Sequence, residues 1–242
     1  MMLWISHRGE SADAPENTLE AFALGRERNT DGCECDVHMT HDGKLVVCHD
    51  NTTERMGGRI LNVELENLAD VQSVNVSGKH KATYPDTRIP LFADSLKEIG
   101  PGRKFYIELK NGTPALADAV KAELDKGVLA PDQVVLISFS FGTCEYAKKI
   151  MPQYQNLWLT GSEIPTTEEL IAKVKAAGID GVDLHFKAQH TTREAVKKMH
   201  DAGLYVAVWT VDGVEDAREM IANGVDAITS NCAAKVRDAI QG

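Results

Sequence analysis

Residues 179–229 read IDGVDLHFKAQHTTREAVKKMHDAGLYVAVWTVDGVEDAREMIANGVDAIT. Short apolar runs at 179–184, 204–209 and 226–229 alternate with two segments, 192–202 and 214–222, whose apolar residues recur at helical spacing. Both helical segments run into a glycine, at Ala202-Gly203 and Asn223-Gly224, where the left-handed turn that closes a helix costs little. Strands joined by helices of this length pair in parallel, because a crossover is needed to bring the chain back. The same unit extends towards the N-terminus, with strands at 3–6, 32–37, 104–109, 134–138 and 156–159. Helical patterns fall at 18–28, 114–126 and 168–176, and a last helix at 233–240. Thr166-Thr167-Glu168-Glu169 supplies a cap and early acidic residues, and Asn17 is the expected N-cap of the first helix. Eight strand–helix units predict closure into a (β/α)8 TIM barrel, one domain over residues 1–242.

One stretch breaks the rhythm. Asp42-Gly43 reads as a turn, and 44–48 as a short strand pairing back on the second barrel strand. Residues 51–90 then fit no strand–helix unit and hold turn residues, scattered charges and a helix-like piece near 63–71. This is a small insertion after strand two, on the side of the barrel where active sites lie. Its apolar residues Leu61, Val63, Leu65, Leu68 and Val71 are spaced to dock it on the barrel.

The 242 residues, 43% hydrophobic and 26% charged, suit a globular chain able to bury a large core. A net charge of −10 argues against nucleic acid as a partner and against stable docking on anionic membranes. Five cysteines are an odd number, which fits free thiols. The first strand begins almost at the first residue and no apolar run is long enough to span a membrane, so the expectation is a cytoplasmic protein.

Polar residues gather where the strands end. His7 and Arg8 follow strand one, Glu34 and Asp36 alternate on strand two, and Glu108 and Lys110 close strand three. Ser138 ends strand four, and Trp209 ends strand seven. In a parallel barrel these ends meet at one rim. Residues two apart on a strand share a face, so Glu34 and Asp36 point together into the barrel while Cys33, Cys35 and Val37 face the covering helices. Buried like charges are costly unless a cation offsets them. With Glu108 they make an oxygen-only set suited to one hard divalent cation, Mg²⁺ or Ca²⁺. The competing reading is a structural ion pair with Lys110 or Arg8. Among eight histidines, His7 and His49 lie beside this cluster and are placed for acid–base work, and His185 is a further candidate at the rim. Trp209 reads equally as substrate platform or barrel core.

The ordered motifs His7-Arg8-Gly9, Pro15-Glu16-Asn17-Thr18, Glu34-Cys35-Asp36-Val37, Asp42-Gly43, His49-Asp50, Ile107-Glu108-Leu109-Lys110, Ser138-Phe139 and Val208-Trp209-Thr210-Val211 resemble the glycerophosphodiester phosphodiesterase family. The resemblance implies Glu34, Asp36 and Glu108 as metal ligands, His7 and His49 as the acid–base pair, and Arg8 and Lys110 near the phosphate. It implies a small-molecule glycerophosphodiester as substrate, cleaved to glycerol 3-phosphate and an alcohol. The alternatives are a lysophospholipase D acting on lipid-like diesters, which shares the cluster, and a catalytically silent phosphate-binding barrel. The chain departs from the family after the last strand, where an acidic residue and a proline are common and this sequence reads Thr229-Ser230-Asn231-Cys232. The departure is expected to alter the rim that holds the alcohol portion and to leave the catalytic set intact.

Overall fold

The computed structural model describes residues 2–161 and 164–242. Nine strands occur among the described residues: β1 (Leu3–Ser6), β2 (Gly32–Met39), β3 (Leu45–Val47), β4 (Lys104–Leu109), β5 (Val134–Ser138), β6 (Gln155–Thr160), β7 (Gly181–His185), β8 (Tyr205–Trp209) and β9 (Ala227–Ser230). β1 pairs in parallel with both β2 and β9, with Ile5 opposite Gly32 and Leu3 opposite Ala227. The remaining barrel strands pair in parallel from β2 through β4 to β9, so eight strands close into the expected TIM barrel. β3 folds back antiparallel on β2 as the sequence implied, with Val37 opposite Val47.

The pleat sorts the side chains of β2 as their spacing required. Cys33, Cys35 and Val37 pack outward in a core with Phe22, Phe92, Leu96 and Phe105. Phe22 meets Phe105 edge-on at 5.7 Å between ring centroids, and losing such a ring from a core costs about 3–5 kcal/mol. The barrel interior below the rim is filled by Ile5, Tyr106, Val135, Ile137, Leu157, Leu159, Ala207 and Ala227. The helix Thr167–Ala176 opens on the expected capping box, in which Thr166 accepts from the Glu169 amide and Glu169 reaches back to the Thr166 amide. Gly9 has φ +76°, and a Cβ there would lie 2.5 Å from the Ala21 carbonyl carbon. Only glycine lets the loop after β1 press onto the first helix.

Two local expectations are corrected. Thr18, not Asn17, caps the helix Leu19–Glu27, its hydroxyl accepting from the Ala21 amide. Asn17 is left-handed, with φ +59°, and its side chain is engaged elsewhere. In the insertion the helical turns are Glu54–Gly57, Leu68–Gln72 and the 3₁₀ turn Gly78–His80, not a helix over 63–71. The Asn62 side chain caps the Glu64 amide and turns the chain instead. Val63 and Val71 do dock, in a small core with Val46, Val74, Val76 and Ile89, but Leu65 is 71% exposed. The amphipathic helix Phe92–Ile99 then returns the chain to β4. All five cysteines are free, and no helix among the described residues is long and apolar enough to cross a membrane.

Candidate active site

The C-terminal ends of the strands converge on one cavity. His7, Arg8, Glu34, His49 and Glu108 line one side. Ile137, Phe139, Leu159, Asp183, Trp209 and Thr210 line the rest, with Thr229 beside His7, whose backbone N–H donates to the neighbouring Ser230 carbonyl. Alternation on β2 aims Glu34 and Asp36 inward, and parallel pairing puts Glu108 of β4 beside Asp36. One carboxylate oxygen from each of Glu34, Asp36 and Glu108 lies within 4.8 Å of the other two, and all three residues are buried.

Their neighbours fix the charges. The Arg8 amide donates to Glu34 at 3.0 Å. Asn17 donates its side-chain N–H to Asp36 at 2.7 Å and accepts the Asp36 amide at 3.2 Å. The Lys110 ammonium lies 2.9 Å from Glu108 and 3.4 Å from Asp36, and the Arg8 Nε lies 3.4 Å from Asp36 without hydrogen-bond alignment. Burial alone would raise the Asp36 pKa, but Lys110, Arg8, His49 and the Asn17 amide outweigh it and hold it well below the usual carboxylate range. Burial and the Asp36 charge push Glu34 well up. The same two causes push Glu108 up to about 7, with Lys110 opposing.

Two cationic side chains therefore do not balance three carboxylates. Arg8 also spends one nitrogen on Glu16, 2.9 Å away. The set fits a hard divalent cation: it offers only oxygens, it is convergent, and Glu34 and Glu108 are pushed up by burial and the Asp36 charge. The simple ion-pair alternative leaves Glu34 and Glu108 poorly compensated.

The two histidines flank this cluster under different control. His7 Nδ1 lies 2.7 Å from Asn231 Oδ1. The Asn231 amide nitrogen donates to Asp212 at 2.7 Å, which fixes its oxygen towards His7. His7 is then the donor at Nδ1, and Nε2, 3.9 Å from Glu34, is left as an acceptor facing the cavity. Burial, helped by the Arg8 charge, lowers the His7 pKa to about 4. His49 instead places Nδ1 2.8 Å from the Asp50 carboxylate. Its pKa is also lowered, chiefly by burial, with Asp36 and Asp50 pulling the other way. His38, buried beneath the hairpin, reaches Glu64 and the His49 carbonyl and so steadies the His49 backbone.

Trp209 forms a wall of the cavity, its indole N–H donating to the Asp183 carbonyl at 3.1 Å and its ring meeting Phe139 edge-on at 5.4 Å. His185 packs on the far side of Trp209, at 5.2 Å, in a groove beside the cavity. Ser138 is buried and donates to the Leu109 carbonyl, so its role is to hold the ends of β4 and β5 together.

Several residues at the site escaped the sequence reading. Asn231 was visible only as a departure from a motif. Asn17 was assigned to a helix cap. Arg55 of the insertion clamps both oxygens of Glu16, at 2.7 and 2.8 Å, and reaches Asp50 at 2.6 Å, which ties the insertion to both sides of the rim. Asp183 is 1% exposed and is pushed up to about 8, first by burial and then by Glu108. The signal for Asp183 was a lone charge at an inward position of an otherwise apolar strand.

Residues 7–235 match the model of the glycerophosphoryl diester phosphodiesterase family. The glycerophosphodiester phosphodiesterase of Caldanaerobacter subterraneus subsp. tengcongensis is 30% identical over 234 residues, covering 95% of this chain and 93% of that protein. YqiK of Bacillus subtilis is 30% identical over 227 residues, covering 91% of both. The structure of an Oleispira antarctica phosphodiesterase in complex with the product sn-glycerol-3-phosphate superposes with a TM-score of 0.90 at 23% identity, over 98% of this chain and 96% of that one, and shares the fold. A match over nearly the whole chain, on a barrel whose rim gathers the acidic cluster and the paired histidines, establishes that this protein belongs to the glycerophosphoryl diester phosphodiesterase family.

Proposed function

We propose that this chain hydrolyses small glycerophosphodiesters to glycerol 3-phosphate and an alcohol, using one divalent cation, Mg²⁺ or Ca²⁺, and the His7–His49 pair. The observation that carries the reading is the convergence of Glu34, Asp36 and Glu108 in a cavity that His7 and His49 also line. The Oleispira phosphodiesterase, whose fold this chain shares, binds sn-glycerol-3-phosphate as its product.

Glu34, Asp36 and Glu108 would hold the cation, which would draw charge from a phosphate oxygen in the ground and transition states. Arg8 borders the same space and Lys110 stands 2.9 Å from Glu108, so both bring positive charge towards the oxygens of the pentacoordinate transition state. His7 is neutral near pH 7 with Nε2 free, so it is the base that takes the proton of the attacking hydroxyl. His49, which Asp36 and Asp50 pull back towards its charged form against the effect of burial, is the acid that gives a proton to the leaving alcohol oxygen. The attacker is either water or the 2-hydroxyl of the glycerol, the latter giving a cyclic phosphate that a second water opens. Trp209, with Phe139 edge-on against it, offers an apolar surface to the carbons of the substrate.

Turnover of glycerophosphocholine, followed by release of glycerol 3-phosphate, tests the reading. Activity is expected to vanish in EDTA and to return with Mg²⁺ or Ca²⁺. Full turnover in EDTA by protein shown to be free of metal would remove the cation from the mechanism.

A further inference from the structure

Three buried polar atoms of cavity-lining residues have no hydrogen-bond partner among the described residues: Arg8 Nε, which faces Asp36 within the acidic cluster, and Asp183 Oδ1 and Thr229 Oγ1, which face no charged partner. Asp183 and Thr229 are both 1% exposed. They stand on β7 and β9, separated only by β8, which presents the small side chain of Ala207 in register with Asp183. On its other side Asp183 is paired with Leu159, which also lines the cavity. Neither polar group takes part in the chemistry assigned above, although Thr229 stands beside it, paired with Ile5 of β1, and Asp183 lies two strands further round the barrel.

An unpaired buried carboxyl and an unpaired buried hydroxyl each cost folding stability, because neither recovers the hydrogen bonds it had in water. A fold keeps such groups where they act on a ligand. The chemistry of the pair narrows the ligand. A carboxyl oxygen accepts, and a threonine hydroxyl both donates and accepts, so together they match a single alcohol group. A phosphate is excluded from this wall by the carboxyl and is drawn instead to Lys110 and Arg8. Resting on the function proposed above, we infer that Asp183 and Thr229 form a subsite for the free primary hydroxyl of the glycerol half of the substrate. That hydroxyl is the glycerol group farthest along the chain from phosphorus, so it can reach Asp183 and Thr229 while the phosphate stays with the basic residues. A site built to hydrogen-bond a hydroxyl rejects the analogue that lacks it far more strongly than an apolar pocket does.

The test uses product binding, so that it does not depend on turnover. Affinities for sn-glycerol 3-phosphate and for propane-1,2-diol 1-phosphate, which lacks only the primary hydroxyl, are measured by calorimetry in Mg²⁺ for the native protein, Asp183→Leu and Thr229→Val. The native protein is expected to favour glycerol 3-phosphate by at least about tenfold, and each variant to lose most of that preference. Thermal melts of the ligand-free proteins give a second readout. Asp183→Leu should melt at or above the native temperature, because it removes an unpaired buried carboxyl, whereas a structural role for Asp183 requires a lower one. Equal affinity of the native protein for the two phosphates, a preference that survives both substitutions, or a destabilised Asp183→Leu overturns the subsite. A native protein that prefers glycerol 3-phosphate but does not cleave glycerophosphocholine keeps the subsite and loses the proposed hydrolysis.

Discussion

Asn17 offers the sharpest test of how the acidic cluster is held. It sits at φ +59°, where a Cβ-bearing residue is strained, and exchanges two hydrogen bonds with Asp36. Asn17→Gly keeps the backbone relaxed and removes both bonds. A hydrogen bond to a buried charge contributes about 1.5–3 kcal/mol, and the abandoned Asp36 amide adds to the loss, so about 2–3 kcal/mol of stability should go. Asn17→Ala loses the same bonds and also forces alanine into the left-handed region for about 1–2 kcal/mol more, a total of about 3–5. Were Asn17 only a helix cap, alanine would cost about 1 kcal/mol and glycine a few tenths. Urea unfolding of the three proteins in EDTA, at one pH, separates the cases. A loosened Asp36 should also bind Mg²⁺ about 10- to 100-fold more weakly, which a metal titration reads directly. Asn17→Gly within about 0.5 kcal/mol of the native protein, with native metal affinity, would refute the reasoning, since that is the scale of a neutral surface change.

Other expectations follow from the same geometry. His7→Ala and His49→Ala should each lower kcat by at least about 10²-fold while remaining folded, as steady-state kinetics beside circular dichroism will reveal. Because burial lowers the His7 pKa to about 4, the acid limb of kcat/KM at saturating metal should fall below the ordinary histidine value. Asn231→Asp puts a carboxylate on Nδ1, favours the charged imidazole and should move that limb upward; an unmoved limb would assign it to another group. Lys110→Met leaves Asp36 and Glu108 without their nearest cation, so the ligand-free protein should lose stability at neutral pH, and substrate KM, kcat or both should worsen once metal is restored. Unchanged kinetics would confine Lys110 to balancing the carboxylates. Glycerophosphocholine should be preferred over lysophosphatidylcholine below its micelle concentration, and a higher kcat/KM for the lysolipid would reverse the choice of substrate class.

Short apolar runs, helical spacing between them and glycines at helix ends carry the architecture because they are local properties of the chain. Glu34 and Asp36 were legible for the same reason, being charged residues at inward positions of a strand whose outward positions are apolar. Asn231 and His7 were not legible as a pair: they are 224 residues apart and meet only because β1 closes the barrel against β9. Arg55 and Glu16 meet by the folding of an irregular insertion, where no period exists to read. The insertion itself misled the helix assignment because isolated valines that dock a loop can fall at helical spacing by chance. Asp183 shows the opposite failure, since the strand was recognised but its one buried charge was left unquestioned.

The cavity has a seam. Its charged wall comes from residues between His7 and Glu108, and its aromatic, apolar and hydroxyl-bearing wall from residues between Ile137 and Thr229. The acidic cluster and both histidines thus come from the first half of the chain, while the second half supplies most of the fit together with Asn231 and Asp212, which orient His7. Substitutions in the later half can reshape what the enzyme accepts without dismantling the acidic cluster, which is how one reaction can spread across many substrates within a lineage. It also marks the place to cut: joining the first half of this protein to the second half of a relative, in the segment between β4 and β5, should transplant preference and keep the acidic cluster, with His7 then oriented by the residue that the relative brings in place of Asn231.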